Sequence, residues 1–286
     1  MDITFINLKN KQTYIIIGSN GLIGNSLVTS FNLRYKLNYK NFLVKKINNY
    51  YNLSSLIINN INYFNRDKEN KCSIIYCAGE GGFSLDIKSV NLQIDYLKNF
   101  ISSIYNSVKS EISFFLLSSL GCHSSKIDTP YKKLTFANEE NVLSYPNSHI
   151  LRLPSIWGIK KFPLQPKGLI ATLLMSLKES KKTRIFGDMN TLRNYISANQ
   201  IGDNIFLLLS NNQILENEYN FFNNFNYSVL DLINIIKRLT KKKVFFEINR
   251  GNAAQTESFN LSPKNKNDII VSEDINSAIL KVWRNL

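Results

Sequence analysis

The segment Tyr14-Ile15-Ile16-Ile17-Gly18-Ser19-Asn20-Gly21-Leu22-Ile23-Gly24 constrains the fold more than any other stretch of this chain. Its apolar, largely β-branched start reads as a buried parallel strand. Glycines follow at positions 18, 21 and 24, and the chain then enters a helical pattern at Leu22, Ile23, Leu27, Val28 and Phe31. Strand, glycine-rich turn and helix form the architecture that receives a dinucleotide pyrophosphate. The turn must be tight, the backbone must come close to phosphate, and the helix N-terminus offers free N–H groups and a positive dipole end. Such a unit is expected to open the fold, beginning near position 14.

Strand-like runs recur at 14–17, 41–44, 73–77, 112–119 and 149–156, with helical patterns near 22–35, 53–60, 86–108 and 131–144. That alternation predicts an α/β fold with a doubly wound parallel sheet of the Rossmann type. The rhythm changes after Gly158. A loop with Pro163 and Pro166, a helix over 169–178 and a capping box at Ser228 with Asp231 predict a smaller mixed α/β substrate-binding lobe. Residues 1–158 are therefore expected to form the dinucleotide-binding domain. Residues 159–286 should be mainly the substrate lobe, intertwined with the first and sending some segments back to it.

Hydrophobic residues make up 44% of the chain, enough to bury a substantial core and to exclude a disordered protein. The net charge of +14 suits a ligand with several phosphates, and would equally suit nucleic acid or an anionic surface. The basic residues are scattered, with Lys241-Lys242-Lys243 the longest run, and no RNA-binding aromatic motif accompanies them. Nucleic acid is not an expected partner. No apolar stretch is long enough to span a bilayer, so membrane insertion is not expected. The cysteines, Cys72, Cys77 and Cys122, are few, odd in number and without metal spacing. They predict a cytoplasmic location and no metal centre.

Catalysis in a doubly wound fold belongs at the carboxyl ends of the strands. Cys77-Ala78-Gly79 end one strand with small residues that admit a cofactor ribose. Ser118-Ser119 end another, and Pro130-Tyr131 open a helix. A Ser and Tyr hydroxyl pair beside a nicotinamide makes a proton-transfer site, because the Tyr exchanges a proton with a sugar or alcohol oxygen while hydride moves on carbon. His123 and His149 read as structural, and Cys77 and Cys122 as small packed side chains.

Together these motifs resemble the extended short-chain dehydrogenase/reductases, specifically the NAD(P)-dependent epimerase/dehydratase family that acts on nucleotide sugars. The glycine pattern matches. So does the serine pair, followed by a Tyr at the start of the helix Pro130-Tyr131-Lys132-Lys133-Leu134-Thr135. Asn91 falls where the family keeps a helix Asn. The segment 151–158, with Pro154 and Ser155, resembles the strand and turn beside the nicotinamide carboxamide. Residues 185–188 and 192–196 resemble the lobe segment whose Arg meets nucleotide phosphates, and the likeness extends over about residues 12–280.

The resemblance implies that Gly18, Asn20, Gly21, Leu22, Ile23 and Gly24 hold the pyrophosphate. Ala78, Gly79, Asn91, Pro154 and Ser155 would also meet the cofactor. Ser119 would bond the reacting oxygen, Tyr131 would be the general acid/base and Arg193 a substrate phosphate ligand. It further implies a nucleotide-sugar oxidoreductase or epimerase of surface-polysaccharide precursor synthesis, working as a homodimer that pairs the helices over 86–108 and 131–144. The main departure is Thr135, where the family's Tyr-x-x-x-Lys motif has its Lys. A free phenol titrates near ~10, so without a positioned cation it stays protonated at neutral pH. Thr135 therefore favours 4-ketoreduction, which needs the Tyr as an acid. The same residue also supports a catalytically impaired relative that binds NAD(P) as a structural or sensing module. NADP(H) is favoured over NAD(H), because the second strand runs into Lys45-Lys46 and carries no acid for the ribose diol.

Overall fold

The computed structural model describes residues 1–8, 12–36, 42–46, 52–64, 71–79, 85–108, 111–160, 163–211, 216–249, 251 and 253–286. Alternating strands and helices build the first half: β1 (Asp2–Asn7), β2 (Gln12–Ile17), α1 (Leu22–Tyr35), β3 (Phe42–Lys46), α2 (Leu53–Phe64), β4 (Lys71–Tyr76), α3 (Ile87–Ser107) and β5 (Ile112–Ser119). The one-turn α4 (Leu120–Ser124), α5 (Pro130–Leu143), β6 (Ser148–Leu153) and β7 (Ser155–Lys160) follow. Next come β8 (Gln165–Lys167), α6 (Gly168–Lys178), β9 (Thr183–Phe186), β10 (Leu192–Ser197) and α7 (Ala198–Ser210). The chain ends with β11 (Glu218–Asn223), β12 (Asn226–Ser228), α8 (Val229–Thr240), β13 (Phe246–Asn249), α9 (Ala253–Thr256), β14 (Asp268–Val271) and α10 (Ile275–Arg284).

An eight-stranded sheet in the order β14-β11-β6-β5-β4-β2-β1-β3 carries the fold. From β14 to β2 all neighbours pair in parallel. The strand predicted over 149–156 is two strands. Pro154 has no N–H to give a ladder, so β6 stays in the large sheet while β7 joins a smaller one, β12-β10-β7-β8. Both faces of the large sheet are covered. Ile15, Ile17, Ile74 and Phe114 pack toward one side, against Ile57 of α2 and Leu97 of α3. Ile16, Ile75 and Phe115 pack toward the other, against Phe31 of α1 and Ile205 of α7. A third cluster around Trp157 fills the lobe built by α6, α8 and α10. Strands β11 and β14 return from the second half to the large sheet.

One expectation fails. The glycine-turn unit does not open the fold, because β1 precedes it. A short connection joins β1 to β2, so the two strands pair antiparallel, with Ile3 opposite Ile17 and Phe5 opposite Ile15. The strand after α1 is thereby displaced one place outward. It pairs with β1, Asp2 opposite Lys46, and not with β2. Ile3, Thr4, Phe5 and Ile6 are all buried, so β1 is an interior strand with both faces covered. Among the described residues no helix is long and apolar enough to cross a membrane.

Candidate active site

The turn after β2 has the shape that a dinucleotide needs. Gly18 adopts φ +82°, in the region that favours glycine. A Cβ on Gly24 would collide with the Gly18 carbonyl group, so no side chain fits there. Gly21 is the N-cap of α1 and supplies no capping side chain, and the first turn of the helix holds no acid. The first N–H groups of α1 are therefore left for an external acceptor. The Ser19 hydroxyl is buried and finds no partner among the described residues. These features fit a bound pyrophosphate.

A cavity of about 1430 Å³ adjoins this turn. Its wall includes Ile23, Ala78, Gly79, Ser119, Tyr131 and Pro154. The sheet thus brings together sequence-distant candidates at the carboxyl ends of β2, β4, β5 and β6. Tyr131 owes its place to a local signal. The Thr129 side chain caps α5 by accepting from the Lys132 N–H, and Pro130 fills the first helical position. Tyr131 is then fixed in the first turn, facing the end of β5.

Burial pushes the Tyr131 phenol above its ordinary value, and the neighbouring Cys122 adds to this. Hydrogen bonds with Ser119 and Thr135 act the other way but do not reverse it. The Thr135 hydroxyl donates to the Tyr131 carbonyl at 2.9 Å and approaches the Cys122 Sγ at 3.4 Å. Thr135 brings no charge, and the two lysines that follow Tyr131 in the helix are engaged elsewhere. Lys132 Nζ donates to the Ser125 carbonyl and pairs with Asp128, while Lys133 Nζ reaches Asn91 Oδ1 at 3.3 Å. The phenol is held neutral.

Beneath the site lies an ionic network. Glu139 Oε2 accepts from Arg152 Nη2 at 2.7 Å and lies 2.9 Å from His123 Nε2. The Ser118 hydroxyl donates to Glu139 as well, and Arg152 Nη1 reaches Glu218 at 2.7 Å. Burial would raise the Glu139 carboxyl, but the bonds from His123, Arg152 and Ser118 outweigh it and hold it below the ordinary carboxylate range. The network ties α4, α5 and β6 together behind Ser119 and Tyr131. Glu139→Gln should destabilise the fold by about 3 kcal/mol at neutral pH, since it leaves a buried guanidinium with only the more exposed Glu218. Because the folded value is depressed, this stabilisation is present above the unfolded value of about 4.3 and fades as pH falls through the folded one. Urea titrations at neutral pH and near pH ~3 check it. Equal midpoints for variant and wild type at neutral pH would contradict the assignment.

Other candidates lie differently. Asn91 is exposed on α3, and the α3 amide that faces Gly79 belongs to Gln93, with Oε1 3.9 Å from where a Gly79 Cβ would be. Ser155 begins β7, half-buried. Asn20 donates from its side-chain amide to the Asp2 carboxylate. The Arg193 guanidinium donates to the backbone carbonyls of Leu192, Ala254, Gln255 and Glu257 and stacks 4.2 Å over Phe259. Its fork braces the 254–257 segment, and it is not part of the cavity wall. The side chains of Lys45 and Lys46 lie outside the described residues. Their proposed reach to a 2′-phosphate assumed a strand next to β2, the place that β1 occupies.

Two residues carry more than the sequence reading gave them. Cys122, read as a small packed side chain, is buried on the short α4 and meets the site through Thr135, whose hydroxyl lies 3.4 Å from its Sγ. Asn138 has a buried Oδ1 with no partner among the described residues. It lies on the same helical stripe as Tyr131 and Thr135, a spacing that was readable. Among the described residues no group of acidic, His or Cys side chains is arranged to hold a metal ion.

No protein-family model matches the chain, and no curated protein does. Solved structures match over nearly the whole length. The UDP-N-acetylglucosamine 4-epimerase from Bacillus cereus superposes with TM-score 0.71 at 13% identity, covering 94% of this chain and 97% of its own. An NAD-dependent NDP-hexosamine 5,6-dehydratase involved in tunicamycin biosynthesis gives TM-score 0.71 at 14% identity, covering 95% and 97%. UDP-glucose 4-epimerase from Thermotoga maritima, solved with UDP-glucose, gives 0.67 at 15% identity, covering 94% and 96%. With the strand-end serine and the helix-start tyrosine in one cavity beside the glycine turn, the chain has the fold of these nucleotide-sugar epimerases and dehydratases.

Proposed function

We propose that this protein is a nicotinamide-dinucleotide-dependent reductase of a nucleotide-linked keto sugar. The observation that carries the reading is Tyr131, a neutral phenol beside Ser119 in the cavity next to the glycine turn. The turn and the α1 N-terminus would hold the pyrophosphate, with Ala78 and Gly79 against the ribose. The bound dinucleotide would supply the hydride for the carbonyl carbon. Ser119 would hold the carbonyl oxygen, and Tyr131 would give it a proton as negative charge develops there, then regain one from solvent. Epimerisation and dehydration begin with an oxidation, which needs phenolate, and Thr135 offers no cation to form it. The UDP-glucose bound by the Thermotoga epimerase supports this substrate class, and the NAD dependence of the hexosamine dehydratase supports the cofactor class.

The experiment is to mix the protein with NADH or NADPH and a panel of nucleotide-4-keto-6-deoxyhexoses, following absorbance loss and identifying products. The reductive rate should be flat through neutral pH. It should fall only on the alkaline side of the ordinary tyrosine range, as the raised phenol ionises. Thr135→Lys should move that fall to lower pH and help the oxidative direction more than the reductive one. Wild type that binds cofactor but turns over no nucleotide sugar, while Thr135→Lys creates activity, would overturn the reductase reading.

A further inference from the structure

In a doubly wound sheet, the strand beside the glycine-turn strand usually ends in the acid that takes the adenosine ribose diol. Here that neighbour is β1, and it runs the opposite way. An antiparallel strand presents its first residue, not its last, at the carboxyl edge of the sheet. That residue is Asp2. Its backbone carbonyl accepts from Gly18 N–H at 2.9 Å and from Ser19 N–H at 3.0 Å, which places it directly against the turn. The Asn20 side-chain amide, from the tip of the same turn, holds the Asp2 carboxylate. Asp2 is half-buried, and the cavity wall extends to its neighbour Met1 and to Ile23.

We propose that Asp2 is the specificity-determining carboxylate of the dinucleotide site, accepting from both ribose hydroxyls of the adenosine half and repelling a 2′-phosphate. The acid absent from the strand after α1 is thus supplied from the other end of an inserted strand. Asn20 is a positioning residue that orients it. The assignment rests on the dinucleotide reading above, and it reverses the preference for NADP(H) drawn from Lys45 and Lys46.

Calorimetric titration with NADH and with NADPH, in the absence of sugar, tests it. Wild type should bind NADH about tenfold or more tightly than NADPH, the scale of a charge-assisted contact. Asp2→Asn keeps the size and the backbone carbonyl that the turn needs. It should lose about tenfold in NADH affinity while NADPH affinity holds or rises, so the preference collapses. Asp2→Ala should do the same, with a thermal melt confirming the fold of each variant. Tighter NADPH binding by wild type, or an unchanged ratio in both variants, would overturn the assignment. If neither variant folds, the wild-type ratio alone decides. Wild type that binds neither dinucleotide refutes the proposed function as well, whereas tight NADPH binding refutes only the role of Asp2.

Discussion

Tyr131→Phe is expected to lower reductive turnover by roughly 10²- to 10⁴-fold, the usual contribution of a positioned acid or base. The ring stays and only the hydroxyl goes, so the packing of the half-buried side chain at the start of α5 is kept. Dinucleotide affinity should be unchanged, because the phenol is asked to act on the carbonyl oxygen and not to hold the cofactor. Ser119→Ala should give a smaller loss, since it removes one bond to that oxygen and leaves the proton source. Steady-state kinetics with whichever keto sugar of the panel is turned over, beside a separate cofactor titration, measures both. Turnover that survives in Tyr131→Phe would show that the proton comes from elsewhere, whatever the fold.

Gly21→Asp should abolish dinucleotide binding without unfolding the protein. Position 21 is the N-cap of α1 and has extended backbone angles that any residue adopts, φ −66° and ψ 168°. Asp is among the best N-cap residues, so its carboxylate should accept from the first free N–H groups of the helix. It would then occupy the place offered to phosphate and repel the phosphate charge as well. A new Cβ would stand 3.0 Å from the Gly18 carbonyl oxygen, a tight contact that offsets part of the capping gain. Affinity should fall at least about 100-fold, equivalent to about 2.8 kcal/mol. A variant with a wild-type melting curve and undiminished cofactor affinity would show that the pyrophosphate is bound elsewhere.

Local chemistry made much of this protein legible. Glycine spacing, the β-branched run before it and the helical stripe after it specify a strand–turn–helix without reference to distant residues, and the structure places α1 at Leu22–Tyr35. Pro130 and the capping box at Ser228 mark where α5 and α8 begin, so Tyr131 could be placed at a helix start from sequence. Ser119 could be placed at a strand end in the same way. The structural neighbours carry the predicted fold.

What the residues could not disclose was which strand lies beside which. Alternation tells a strand which side chains face each side of a sheet, but the backbone edge that pairs is the same for every sequence. Strand β1 is covered on both faces, and nothing in 2–7 says that it inserts beside β2 and displaces β3. That pairing decides whether a carboxylate or a lysine-bearing strand adjoins the glycine turn. Arg193 shows the same limit in a side chain. Its charge is plain in the sequence, but the four carbonyls that occupy its guanidinium include three from 254–257, about 60 residues away, and only the folded chain brings them together.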